Sequence, residues 1–423
     1  MPTGPIAAEI MSPHFQNLFS DSWGILEVLV ADSSPIDLSR LPLEDEHDAY
    51  CFVKSYGFDC QKKDDFKVIE KIRDEAVSFL QRILIDTLEP DYVKLTIPAE
   101  IRKMDILQLL LCASGNTRSH NQKWACAVLR IMHTLAHVVS DLSMHFFPSI
   151  LDQILDPFYQ HIHNDGQQMW LGKEIEHRIP LVDFQVKAGK DRDSALLKLL
   201  HKAENVAADL FDRIGVRFVT QDRLDAVLVL HYLREFHLVA FPNVKPSRSV
   251  NTLIDINKFR RHFRDLYLQQ QAGKLTQAEF EKALRQYAQF HDNLTQRQVS
   301  HLFKRNPYTS GQYRSMQFTV RQLVSLVNPL YACMDQIEEQ LELLHPSQRE
   351  HPLIREPLEH ARPQYYFFFP YEIQIVDVET HQNNMQGHAS HDTYKMRQLK
   401  AARKRVLGKL LKKKPIETTE KGA

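Results

Sequence analysis

Tyr371-Glu372-Ile373-Gln374-Ile375-Val376, preceded by the aromatic run Tyr365–Phe369, reads as a β-strand with two unlike faces. Alternate side chains of a strand project to opposite sides, so Glu372 and Gln374 share one face and Ile373 and Ile375 the other. A carboxylate and an amide held among isoleucines and aromatics need partners or a task, because burying them without either is costly. The alternative is an amphipathic edge strand whose polar face is wet. A His/Asn-rich segment, His381 to Lys395, follows and reads as helical.

Around this strand the chain has 423 residues, enough for two or three domains with cores of their own. Its 53 basic and 53 acidic residues balance, so no global field draws it to nucleic acid or an anionic membrane, although Arg397 to Lys414 is locally basic. Five scattered cysteines with no CxxC pair argue for reduced thiols in a cytoplasmic protein, and against a zinc ribbon or a disulfide framework. The first residues lack the basic and apolar pattern of a signal peptide, and no apolar run approaches the ~20 residues of a membrane span. Only 13 glycines, with no GxGxxG and no GxxxxGK[ST], disfavour Rossmann and Walker architectures.

Periodicity divides the chain. Phe66, Ile69, Ile72, Leu80 and Ile83 share one face of a helix spanning Asp64 to Thr87, and Trp124, Val128, Ile131, Leu135, Val138 and Leu142 form a stripe on a second, from about Asn121 to His145. Residues 1–175 are therefore expected to form a mainly helical N-terminal lobe. Strands are expected at Val182–Val186, Phe211–Thr220, His237–Phe241, Tyr313–Val320 and Tyr365–Val378, with helices at Asp193–Lys202 and Asp222–Phe236. A helical insertion over 255–302 carries two capping boxes, Thr276-x-x-Glu279 and Thr295-x-x-Gln298. The expected fold is α+β: a mixed sheet flanked by helices over 176–400, then a basic tail over 401–423.

Several clusters could carry chemistry. His133, His137 and Asp141 repeat at helical spacing, which suits a metal or an ordinary polar helix face. Lys187, Lys190 and Arg192 precede a helix opening at Asp193 or Ser194, a cradle for polyphosphate or simply a charged turn. Asp212, at the start of an apolar strand, is placed as a Mg²⁺ ligand would be, or is a solvated strand end. Lys304 to Thr319 combines cations, a Pro/Gly turn and Tyr313, able to clamp a nucleobase or to serve as an ordinary turn.

Taken in order, these segments resemble the synthetase domain of RelA/SpoT-type alarmone synthetases, over roughly residues 180–400. The Glu-Ile-Gln-Ile core stands at Glu372–Ile375; Asp212 and Arg217 match a second element; Tyr313, Ser315 and Thr319 a third; and Lys187, Ser194 and Lys198 a first. His391, Tyr394 and Lys395 follow at similar spacing. The resemblance implies a nucleotidyltransferase-like sheet and an ATP-dependent pyrophosphokinase. This enzyme would pass pyrophosphate to the ribose 3′-hydroxyl of a guanine nucleotide or of an RNA 3′ end such as tRNA. It further implies Mg²⁺ on Asp212 and Glu372, with Glu372, assisted by Gln374, as base. Lys187, Lys190, Ser194 and Lys198 would meet donor phosphates, Tyr313 would stack on the acceptor base, and Lys304 and Arg314 would meet acceptor phosphate. Arg217, Gln317 and His391 would complete the nucleotide site. The chain departs from the family pattern at Gln185, Gln317, Val376, Asp377 and Met385. Those departures suit the other expectation, a protein that keeps the fold and binds nucleotide or RNA without turnover.

Overall fold

A computed structural model describes residues 41, 43–114, 119–139, 146–189, 192–200, 213–290, 313–344, 362–386 and 391–414. Along the chain come α1 (Glu46–Ser55), α2 (Lys63–Phe79, continued by a π-helical turn Leu80–Ile85), α3 (Ala99–Lys103), α4 (Ile106–Ser114) and α5 (His120–Val139). Next are α6 (Phe147–Tyr159), β1 (Ile162–Asn164), β2 (Met169–Leu171), β3 (Ile179–Ala188), α7 (Arg192–Leu200), β4 (Ile214–Thr220), α8 (Arg223–Glu235) and β5 (Val244–Asn251). The remainder is α9 (Ile256–Gln271), α10 (Gln277–Phe290), β6 (Met316–Val327), α11 (Pro329–Leu344), β7 (Gln364–Asp377), α12 (Val378–Met385) and α13 (His391–Leu407). These elements fall into two compact units: residues Met1–Asp141 with Asp191–Leu210 and Met396–Ala423, and residues Leu142–Lys190 with Phe211–Lys395.

The described part of the first unit is helical. The stripe predicted on α5 is its spine: Trp124, Val128, Ile131 and Leu135 are fully buried, against Phe79, Leu80 and Leu84. Leu196 and Leu200 of α7, and Ala402, Val406, Leu407 and Leu410 near the C-terminus, join the same core. The segment expected as a basic tail is thus packed structure through Leu410. Arg403 is its clearest case: it is 3% exposed and donates to the carbonyls of Leu84 (3.1 Å) and Thr87 and to Glu89 (3.1 Å). Carbonyls left open at the end of a helical turn need such a donor when water cannot reach them. His133 and His137 lie edge to face at 4.7 Å, and the Tyr56 hydroxyl contacts His133 Nδ1. Burial, then His137 and Arg405, holds the His133 pKa down to about 4; both rings are half-buried, and Asp141 lies outside the described residues.

The described residues of the second unit form an open seven-stranded mixed sheet, in the order β1-β2-β3-β4-β7-β6-β5, in which, among those strands, only β4 and β7 run parallel. One face buries Val216 and Phe218 of β4, Ile373 and Ile375 of β7, and Met316, Phe318 and Val320 of β6, against apolar residues of α6 and α8. Asp222 caps α8 by accepting from Asp225 N at 2.9 Å. The inserted hairpin of α9 and α10 packs through Phe259, Leu266, Phe280 and Leu284 onto Leu224 of α8. The Thr276 capping box forms as expected, with Thr276 N donating to Glu279 at 2.9 Å, while Thr295-x-x-Gln298 lies outside the described residues.

Three expectations are corrected. The segment His237–Phe241 is not a strand: His237 has φ 54, Phe241–Asn243 is a 3₁₀ turn containing Pro242, and β5 starts only at Val244. A left-handed residue and a proline with no N–H donor cannot extend a ladder there. Within 1–175, β1 and β2 are strands of the sheet, joined through a turn in which Gly166 has φ 88 and its N–H donates to Asn164 Oδ1 (2.9 Å). Finally, β7 lies between β4 and β6, so the wet-edge reading of Glu372 and Gln374 does not hold.

Candidate active site

The polar face of the sheet is built by register. Gln185 pairs with Arg217, Arg217 with Gln374 and Gln374 with Gln317, which sets four polar side chains in one row across β3, β4, β7 and β6. One step along, Lys187 pairs with Gly215, Gly215 with Glu372, Glu372 with Thr319 and Thr319 with Lys245. Glycine contributes no side chain, so the strand positions of Lys187 and Glu372 stand two strand spacings apart, roughly 10 Å, with no β4 side chain between them at this register.

Hydrogen bonds join the first row. Arg217 Nε donates to Gln374 Oε1 at 2.6 Å and Arg217 Nη1 to Gln185 Oε1 at 3.0 Å. A guanidinium only donates, so both amides must turn their oxygens toward it and their NH₂ groups outward. Gln185 accordingly donates to Asp183 at 2.7 Å. Gln374 donates to the Tyr313 hydroxyl at 2.5 Å and reaches Gln317 Oε1 at 3.5 Å; Gln317 in turn donates to Glu372 Oε1. A central cation thus orients successive amide dipoles toward two carboxylates, Asp183 and Glu372. In a site shielded from water such a chain holds its members more firmly than isolated pairs would. Gln374 is 7% exposed and Thr319 2%.

Tyr313 is set in place by bonds to the backbone that follows it. Thr252 Oγ1 accepts from Ser315 N at 2.9 Å, and Asn384 of α12 brackets Arg314, accepting from its N–H at 3.1 Å and donating to its carbonyl at 2.7 Å. Burial raises the Tyr313 pKa, with Arg217 and the Gln374 bond pulling against it and Glu372 adding to it, so the phenol stays protonated. His381, also on α12, is held below the usual histidine range by burial and then by Arg217, with Asp183 opposing.

Of the residues expected at the site, Lys187, Arg217, Tyr313, Arg314, Gln317, Glu372 and Gln374 belong to the second unit. Ser194 and Lys198 stand on α7 in the first, where Arg192 pairs with Glu75 (2.9 Å) and Asp193 with Arg82 (2.6 Å). The expected phosphate cradle is therefore divided between two units, and its Arg192 has an acidic partner. Lys190, Asp212 and Lys304 lie outside the described residues, as does the side chain of His391. Among the described residues, no group of three His, Cys, Asp or Glu stands ready for a metal.

The sequence reading missed Asp183, Lys245, Thr252, His381 and Asn384 as parts of this face. Alternation within Val182–Val186 put Asp183 and Gln185 on one side, which was the available signal; the others depend on register and loop closure. Asp377, one of the departures from the family pattern, is fully buried, caps α12 through Thr380 N (2.9 Å) and Thr380 Oγ1 (2.6 Å), and faces Arg223 at 3.4 Å. No protein-family model, no curated protein and no solved structure matches the chain. No helix among the described residues is long and apolar enough to cross a membrane.

Proposed function

We propose that the polar face of the second unit transfers the β,γ-pyrophosphate of ATP to a ribose 3′-hydroxyl, of a guanine nucleotide or of an RNA 3′ end, as the bond between the α- and β-phosphates breaks and AMP leaves. The observation that carries this reading is Glu372: a carboxylate on an interior strand, oriented by Gln317 and facing Lys187 across Gly215. Phosphoryl transfer asks little covalent chemistry of a protein, and chiefly needs cations, an in-line nucleophile and a group to take its proton. Glu372 would take the proton of the attacking hydroxyl, while Lys187 meets donor phosphate beside it. The Arg217–Gln374 chain would fix Tyr313, and through Gln317 the carboxylate itself. A hard cation takes carboxylate oxygens, so Glu372, with Asp212 as the resemblance implies, would hold Mg²⁺, whose charge would offset that developing on the phosphoryl oxygens.

The test is transfer of label from γ-labelled ATP to GDP, GTP or tRNA by the full chain with Mg²⁺. Glu372→Ala should lower transfer at least about 100-fold while leaving ATP binding in place. Nucleotide binding without transfer to any acceptor would instead establish a binding protein that lacks turnover.

A further inference from the structure

The face that carries Glu372 continues along β6 and β7 beyond the polar rows. Its next cross-strand pairs are Arg321 with Pro370, Leu323 with Phe368, Ser325 with Tyr366 and Val327 with Gln364. The opposite face of the same strand pair is buried at Val324, Leu326 and Phe369, with Tyr365 at its end 51% exposed. Here, by contrast, Phe368 is 44% exposed, Leu323 49%, Val327 60% and Tyr366 63%. The guanidinium of Arg321 lies over the Phe368 ring at 5.2 Å, and the Tyr366 hydroxyl donates to Gln364 at 2.6 Å.

We propose that this strip is a stacking platform for single-stranded RNA, whose 3′ end it delivers to Glu372. The proposal deepens, and rests on, the reading of Glu372 as the acceptor end of a pyrophosphotransfer site. Tyr366 and Phe368 are two residues apart on one strand, so their rings stand roughly 7 Å from each other on the same face. Successive unstacked bases can be accepted by aromatic rings and guanidinium planes spaced along a sheet, without reading their sequence. Glu372 lies on the same face four residues beyond Phe368, roughly 13 Å along the strand, within reach of a chain laid along β7. A protein partner fits less well. Four half-exposed side chains offer roughly 400 Å² at about 100 Å² each, against about 800 Å² per partner in a stable interface.

The test is fluorescence anisotropy of a labelled, unstructured oligoribonucleotide of about ten nucleotides with the full chain. Tyr366→Ala and Phe368→Ala should each weaken binding about tenfold or more, whereas Tyr366→Phe and Phe368→Tyr should bind as the parent does. These side chains are exposed, and unchanged thermal melts would show that the alanine variants fold. With one or two cations engaged, log K should fall with log salt at a slope of only about −0.7 to −1.4. A steep slope, or binding indifferent to both alanine variants, would overturn the platform by placing RNA on the basic C-terminal segment. So would a self-association abolished by Tyr366→Ala in a chain that binds no RNA. Transfer to GDP without RNA binding would remove the platform and keep the pyrophosphotransfer reading. Platform-dependent RNA binding without transfer to any acceptor would do the reverse.

Discussion

Gly215 does more for the candidate site than a charged residue would at the same position. It occupies the place between Lys187 and Glu372 in the polar face, and among the described residues an added Cβ would meet only Lys187 Cβ, at 3.6 Å, an ordinary contact. Gly215→Ala should therefore fold at least as well as the parent, and gain up to about 1 kcal/mol because a strand glycine loses more freedom on folding. Its methyl would intrude between Lys187 and Glu372, so transfer should fall about tenfold, chiefly in kcat/KM for ATP. Unchanged kinetics with raised stability would show that no substrate lies there. Arg217 works differently: as a pure donor it orders the amides on both sides, so Gln185 and Gln374 act as parts of one chain.

At the scale of elements, α12 links the departures from the resembled family to the site. Asp377 caps it, and His381 and Asn384 project from it toward Asp183, Arg217 and the backbone of Arg314. Asp377→Ala removes two hydrogen bonds to Thr380 and leaves the buried Arg223 without its facing anion. A cost of about 3 kcal/mol is expected, read as a lower urea midpoint at unchanged slope. Asp377→Asn keeps the cap geometry and should cost less. A variant as stable as the parent would mean that α12 holds its place through apolar contacts alone. The alternation that put Glu372 and Gln374 on one face was legible in six residues, and so was their apolar opposite face. That β7 is interior was not legible, because strand order depends on pairings made across 150 residues of chain.

In the whole molecule, acid should act first on buried histidines. The folded pKa of His133 lies near 4 against a usual 6.5, so the unfolded chain binds its proton first. Its contribution is complete above about pH 6.5 and is lost as pH falls toward 4, on the order of 3 kcal/mol. His381 and His161, also lowered chiefly by burial, act in the same direction. Melting temperature measured from pH 7 to pH 4 should fall, and His133→Gln should flatten part of that slope. Equal slopes would assign the acid sensitivity elsewhere. The two units also show why the expected domain limits and the observed breaks differ. The first unit gathers α7 and the C-terminal segment from distant parts of the sequence, and the second begins before β1.

What the amino-acid sequence determined by itself was local: the period of several strands and helices, the stripe on α5, the capping box at Thr276, and the polar pair on β7. These follow from backbone geometry within a few residues and need no knowledge of neighbours. Only the tertiary structure decided that β4 and β6 flank β7, that Gly215 stands between Lys187 and Glu372, that Arg217 orients two glutamines, and that Asp377 caps a helix. Each of these depends on the register between strands, and a shift of one residue would turn every such side chain to the opposite face.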